Sequence, residues 1–254
     1  MTIKTKKKIE AAILIIGNEI LSGRTQDLNV SFISKWLNDN CGISINEVRI
    51  IPDIKKKIIF NVLDLSKKFK YVFTTGGIGP THDDITSHSI AKAFNVKYQY
   101  NDQAYSILEN YYGKEEFNTS RKKMAKIPSG ASLIENPSSA APGFLIKNVF
   151  CLPGVPSILK SMIPNIKKFI SKGPKTFSKS INLLTYESKI ALDLEKIQNK
   201  HIKKKVEIGS YPFFRKGKVG VAVVLRSVFK NNILICEKQI KKTAKLKKIK
   251  ISNF

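Results

Sequence analysis

The apolar residues of this chain fall into runs of two alternating kinds. Ala11 to Gly17 is continuous and short, the pattern of a strand buried on both faces. Gln26 to Asn40 sets Leu28, Phe32, Ile33, Trp36 and Leu37 on one helical stripe, and Gly42 supplies a stop. Ile43 to Ile51 alternates as a strand. Ile54 to Phe69 predicts a helix with Ile58, Ile59, Val62 and Leu65 on its apolar face. Tyr71 to Thr75 is a third strand, and Asp83 to Phe94 predicts the helix after it. Strands alternating with helices call for a mostly parallel sheet covered on both faces.

Residues 95–130 read as a more helical insertion carrying Asn118, Arg121 and Met124. Short extended runs follow near Leu133 and Phe144. Val149 to Leu152 is a further buried strand, and a helix is predicted from Ser157 to about Ile170. Lys172-Gly173-Pro174 is the linker candidate, which sets the domains at 1–172 and 173–254. Beyond it the pattern predicts strand (Phe177–Leu184), helix (Ser188–Lys200), two strands (Val206–Ser210, Val219–Ser227) and helix (Ile233–Lys247). This is a small α+β unit, and the lysine-rich end is expected to fray.

Composition narrows the classes. The 254 residues are 42% apolar, enough for a core without disulfides or metals. The 45 basic residues outnumber the 19 acidic ones, for a net charge of +26. The lysines are spread over nearly every segment, which reads as a solvated surface before it reads as a nucleic-acid patch. Cys41, Cys151 and Cys236 are far apart and odd in number, as expected of free thiols in a reducing compartment. The basic run Lys4 to Lys8 and the apolar run after it imitate a signal peptide. The apolar run is too short for one and meets Gly17-Asn18-Glu19. No run approaches membrane-spanning length, so a cytoplasmic location without membrane contact is expected.

The candidate chemistry gathers at predicted strand ends, where open α/β sheets bind ligands. Gly76, Gly77 and Gly79 follow the third strand and can turn backbone N–H groups toward a phosphate. Asp83 or Asp84 can cap the next helix, ligate a divalent cation or orient a water. Thr86 follows them. The first strand ends at Gly17 with Asn18 and Glu19, then Asp27 and Asn29. Pro153 and Gly154 end the strand at Leu152. His82, His88 and His201 read as surface residues. Gly217-Lys218-Val219-Gly220 could be a nucleic-acid clamp, but its place before a strand favours a hairpin turn.

Four of these stretches together carry a resemblance: Gly17–Asn29, Thr74–Thr86, Asn136–Phe144 and Leu152–Ser157. In that order they resemble the MoaB/Mog-type molybdopterin-binding domain in its CinA (competence/damage-inducible protein A) version, and the eukaryotic FAD synthase N-terminal region is similar. The resemblance implies a three-layer α/β/α fold over about residues 11–170, followed by a small KH-type domain. It implies a short form, without the nicotinamide-nucleotide deamidase domain. It further implies a nucleotide or molybdopterin ligand, and metal-dependent hydrolysis of a nucleotide pyrophosphate such as ADP-ribose or FAD, with Mg, Mn or Co. Asp84, with Asp83, would be catalytic, and Asp84 and Asp27 would hold the metal. Gly143 would join the ligand site. A homo-oligomer is expected. Three positions depart from the family pattern: Asn18 replaces an aspartate, Ser139-Ala140 a Gly-Thr pair, and Ile158 a glutamate. They favour, as the alternative, a non-catalytic nucleotide- or molybdopterin-binding protein. Nucleic-acid binding through the basic small domain ranks third.

Overall fold

The computed structural model describes residues 8–252, so Lys4 to Lys7 of the basic run lie outside the described residues. The chain divides into two compact units, 1–174 and 175–254.

The first unit begins with β1 (Ile9–Ile16), the short α1 (Asn18–Leu21), α2 (Asn29–Cys41), β2 (Ile43–Ile51), α3 (Lys55–Lys68) and β3 (Tyr71–Thr75). It continues through α4 (Thr86–Ala93), β4 (Tyr98–Tyr100), α5 (Asp102–Tyr112), α6 (Thr119–Lys123), β5 (Lys126–Pro128), β6 (Ser132–Ile134), β7 (Gly143–Ile146), β8 (Val149–Leu152) and α7 (Pro156–Met162). The main sheet has the order β2-β1-β3-β8-β7-β6. Its first four strands are parallel, β7 returns antiparallel to β8, and β6 pairs antiparallel with β7. β4 and β5 form a separate two-stranded ribbon.

Strand alternation builds the three layers. Ala11, Ile13 and Ile15 pack with Ile33 and Leu37 of α2 and Leu159 of α7. Ala12, Leu14 and Ile16 pack on the opposite face with Ile58, Val62 and Leu65 of α3 and Ile90 of α4. Every residue from Ala11 to Ile16 is buried, which is why the run shows no polar alternation. Phe73 and Phe150 stack at 4.9 Å in the middle of the sheet.

Three boundaries moved for local reasons. The helix expected from Asp83 starts at Thr86, because Asp84 folds the preceding loop instead of capping: its Oδ2 accepts from the Thr81 N–H at 2.8 Å. The helix expected to reach Ile170 stops at Met162 and tightens into a 3₁₀ segment over Ile163–Phe169, where Pro164 offers no backbone N–H. Helix α2 begins at Asn29, and Gly42 ends it with φ 63.

The second unit runs β9 (Phe177–Leu184), α8 (Ala191–Ile202), β10 (Glu207–Arg215), β11 (Lys218–Ser227), α9 (Lys230–Leu246) and β12 (Lys250–Ser252). Its sheet is antiparallel with order β10-β11-β9-β12. The expected KH-type domain is not what forms. A clamp loop of that type joins two helices, whereas here Lys216 and Gly217 make a two-residue turn between β10 and β11, with φ of 50 and 70. This is a β-α-β-β-α-β unit. Its end does not fray as far as expected, since Lys250–Ser252 pairs with β9; Asn253 and Phe254 lie outside the described residues. β10 runs through Pro212, which an edge strand tolerates. His201, expected at the surface, is buried with its Nε2 2.8 Å from Gln239 Oε1. The amphipathic face of α8 puts it there. The three cysteines are free and buried.

Glu237 of α9 is 6% exposed and pairs with Lys179 and Lys241, each at 2.7 Å. Burial pushes its carboxyl up, but the two lysine hydrogen bonds outweigh this and leave it below the ordinary value. A carboxyl held lower in the folded chain contributes stability that is lost as pH falls through its folded value. Glu237→Gln is expected to cost the second unit about 1–3 kcal/mol in urea denaturation at pH 7. The gap should close as pH falls below about 4.3. An equal gap at pH 3 and pH 7 would show that the ion pairs do not carry it.

Candidate functional site

Strands β1, β3 and β8 lie side by side and end in Gly17, Gly76 and Pro153-Gly154. The sheet order turns between β1 and β3, so a crevice opens at their carboxyl ends. The turns there touch. Gly76 has φ +102, and a Cβ on it would lie 2.1 Å from the Ile16 carbonyl oxygen. Its N–H donates to the Leu152 carbonyl at 3.1 Å. A Cβ on Gly154 would lie 3.3 Å from Gly76 Cα. Only glycine at position 76 lets the three turns approach this closely.

The loop after β3 folds back on itself. Gly77 has φ +68, and a Cβ there would meet Thr86 Oγ1 at 2.2 Å. The Thr86 N–H donates to the Gly77 carbonyl at 2.9 Å. A Cβ on Gly79 would lie 2.7 Å from Asp84 Oδ2. The Thr81 hydroxyl contacts both carboxylates, Asp83 Oδ1 at 2.6 Å and Asp84 Oδ2.

A cleft of ≈ 630 Å³ occupies these strand ends, within the usual range for a small-molecule site. Of the sequence candidates, Gly76, Gly77, Gly79, Asp83, Asp84, Glu19, Pro153 and Gly154 all line it. Asn18, Asp27, Asn29, Thr86 and Gly143 are not among its lining residues. Asp27 Oδ1 accepts from the Val30 N–H at 2.9 Å and so organises the start of α2. Asn29 is buried, and its Nδ2 donates to the Gly154 carbonyl at 2.7 Å, holding the third turn in place. Asn18 donates its backbone N–H to Asp53 Oδ2 at 2.9 Å. Gly143 lies in β7, where a Cβ would meet the Cys151 carbonyl oxygen at 2.5 Å; it is a packing glycine.

Among the cleft residues without a role in the sequence reading, three bring a charge or an aromatic ring. Asp53 follows β2 and faces Glu19 and Asp83 electrostatically. The strand-end rule that found the other turns would have found it. Tyr112 and Arg121 come from the insertion, with the guanidinium 4.3 Å from the ring centroid. Arg121 is anchored by Glu116 Oε2 at 2.6 Å, and Lys123 on the same helix donates to the Thr81 carbonyl. No local pattern signals that a segment 40 residues downstream closes over the glycine loop. Ile158 lines the cleft as well.

The cleft is anionic. Burial pushes the Asp53 carboxyl above its ordinary value, and Glu19 and Asp83 add to the rise, against the Asn18 N–H bond. The Thr81 hydroxyl holds the exposed Asp83 below its ordinary value. Among the described residues no group of three His, Cys, Asp or Glu is arranged to hold a metal ion by itself. No helix among them is long and apolar enough to cross a membrane.

Residues 12–172 match the family described as probable molybdopterin binding domain. The chain belongs to that family. Residues 175–252, the second unit, match the middle domain of FAD synthase, which is the correction to the KH-type expectation. A protein of Archaeoglobus fulgidus is 33% identical over 204 residues, covering 80% of this chain and 86% of its own length. A CinA-like protein of Flavobacterium psychrophilum is 36% identical over 200 residues, 75% of this chain. This molybdopterin-binding-domain chain spans only 47% of that relative. The crystal structure of the protein CinA from Thermoplasma acidophilum superposes with a TM-score of 0.60 at 31% identity, covering 64% of this chain and 98% of that one.

Asp53→Asn tests the electrostatics. A carboxyl raised in the folded state penalises folding increasingly as pH climbs from the ordinary to the raised value, and an amide escapes that penalty. The variant is therefore expected to melt higher than the parent at pH 7, with the difference vanishing toward about pH 4. A lower melting temperature at pH 7 would show that the carboxylate is held by attraction instead.

Proposed function

We propose that the cleft binds a phosphorylated nucleotide or pterin and, with a divalent cation, hydrolyses a nucleotide pyrophosphate of the ADP-ribose or FAD type. The observation that carries this reading is the meeting of the Gly76–Gly79 turn with Asp53, Asp83 and Asp84 in one strand-end cleft. Backbone N–H groups of such a turn suit phosphate oxygens. The stacked pair Tyr112 and Arg121 offers a flat aromatic and a cationic fork, which suit a planar heterocycle and a phosphate.

The donor set fits a hard cation. It is made of carboxylate oxygens, as Mg²⁺ and Mn²⁺ prefer. The carboxylates do not complete a shell, so phosphate oxygens of the ligand would supply the remainder, the usual arrangement for Mg²⁺. Asp84 and Asp83 would hold it, with Asp53 beside them; Asp27 is occupied at the start of α2. When bound, such an ion neutralises phosphoryl charge and acidifies water. The chain's own residues do the rest. The glycine turn fixes the phosphates, Thr81 orients the two carboxylates, and Arg121 offsets charge from the cleft wall.

A second reading, binding without cleavage, is supported by Ile158. An isoleucine at the cleft wall neither binds a cation nor takes a proton. A combined melting and product assay separates the two. The protein is incubated with ADP-ribose, FAD, NAD, ATP or a pterin, each with Mg, Mn or Co. Stabilisation with release of AMP is the expected result. Stabilisation without product leaves the binding reading, and no stabilisation by any ligand overturns both. Asp84→Asn is expected to cut turnover at least about a hundredfold while the protein stays folded. Arg121→Ala is expected to weaken ligand binding by about tenfold or more.

A further inference from the structure

The sheet of the second unit has two unlike faces. On one, Ile181, Leu183, Val221, Val223 and Leu225 pack beneath Leu194 and Ile197 of α8 and Ile233 and Ile240 of α9. The pairing register sends the intervening residues to the other face. Tyr211 lies opposite Ala222, Phe213 opposite Gly220, Gly209 opposite Val224, and Arg226 opposite both Glu207 and Ser178. Among the described residues, the helices of this unit, α8 and α9, pack on the first face. The rings lie on small residues: a Cβ on Gly209 would meet the Tyr211 ring at 3.0 Å, and one on Gly220 the Phe213 ring at 2.4 Å. Tyr211 is 49% exposed.

The aromatic pair is framed by cations. The Arg215 guanidinium lies 5.6 Å from the Phe213 centroid, Lys218 pairs with Arg215 in register, and Arg226 stands farther along β11. Glu207 is the acidic residue of this face on β10. Residues 175–254 carry twenty Lys and Arg against five Asp and Glu. Next to β11, Ser178 and Ser180 of β9 bring short hydroxyl side chains to the same face.

We infer that this open sheet face binds single-stranded RNA. A four-stranded antiparallel sheet with two helices behind it and aromatics in front is a surface on which unpaired bases stack. Stacking on Tyr211 and Phe213 asks for a flat π-face, the basic rim asks for a polyanion, and the serine hydroxyls are partners for the ribose 2′-OH. Scattered lysines alone would attract any polyanion. The solvent-facing Tyr211 ring, with the half-buried Phe213 beside it on a glycine floor, singles out one that carries exposed bases.

Fluorescence anisotropy of a labelled mixed-sequence 12-mer RNA with the full chain tests this, titrated at several salt concentrations. Tyr211→Ala is expected to lower affinity by about tenfold or more at fixed salt, and Tyr211→Phe to restore it. Arg226→Gln is expected to flatten the salt dependence by about 0.7 in log–log slope, the loss of one phosphate contact. Lys238→Gln with Lys242→Gln, on the exposed side of α9, is the charge control and is expected to stay within about twofold of the parent. The far-ultraviolet circular dichroism of each variant is compared with the parent. Unchanged binding by folded Tyr211→Ala would overturn the inference, since the attraction would then be lysine electrostatics. Equal affinity for a DNA 12-mer of the same sequence would overturn the assignment to RNA. A dimer in sedimentation that Tyr211→Ala dissociates, with no RNA bound by the parent, would assign the face to a second copy of the chain.

Discussion

The first unit depends on how closely three backbone turns can approach one another. Strands β1, β3 and β8 are held about 5 Å apart by their ladders. Their exits can share one cleft only if the chain turns sharply inside that spacing. Gly76 makes this possible: its N–H closes on Leu152, its α-carbon supports Gly154, and the space a side chain would take is filled by the Ile16 carbonyl. Asn29 then fixes the third turn from below by donating to Gly154. An alanine at position 76 would meet both a left-handed backbone and a carbonyl oxygen at 2.1 Å, so the constraint is steric before it is chemical.

That geometry carries an electrostatic consequence. The chain has a net charge of +26, yet the cleft gathers Glu19, Asp53, Asp83 and Asp84. Within a screening length of about 8 Å of the surface the basic side chains favour the approach of an anionic ligand. Within the cleft the carboxylates oppose it; the Asp53 carboxyl is raised first by burial, and Glu19 and Asp83 add to the rise. A phosphate seated on the glycine turn therefore needs a compensating cation. Arg121 supplies one fixed charge, and under the proposed reading a divalent ion would supply the second. The two roles of the insertion, carrying Arg121 into the cleft and tying Lys123 to the glycine loop, belong to one helix.

Much of this is legible in the amino-acid sequence. The buried runs at Ala11–Ile16, Tyr71–Thr75 and Val149–Leu152 are strands covered on both faces, and their pattern says so directly. The glycine turn was legible because a strand that stops at glycines has few other uses. What was not legible depends on contacts distant in sequence. Asp53 is an ordinary strand-end carboxylate until Asn18, Glu19 and Asp83 surround it. His201 sits in a lysine-rich stretch, and only the packing of α8 on Gln239 of α9 buries it. Gly143 sits in a motif-like stretch, but its register against β8 makes it a packing residue.

The second unit shows the same limit from the other side. In β10 the alternation Gly209, Tyr211, Phe213, Arg215 is plain once the strand is known to extend through Pro212. Proline ends a predicted strand because it removes a donor. On an edge strand half of the donors have no ladder partner anyway, so the penalty disappears and the strand continues. The added residues are the ones that decorate the open face. A strand ended at Ser210 would leave a bare, small sheet with nothing aromatic on it. Extended to Arg215, it turns the uncovered side of the sheet into a row of rings flanked by arginine and lysine. The function of that face thus rests on one tolerated proline and on the position of β10 at the sheet's edge.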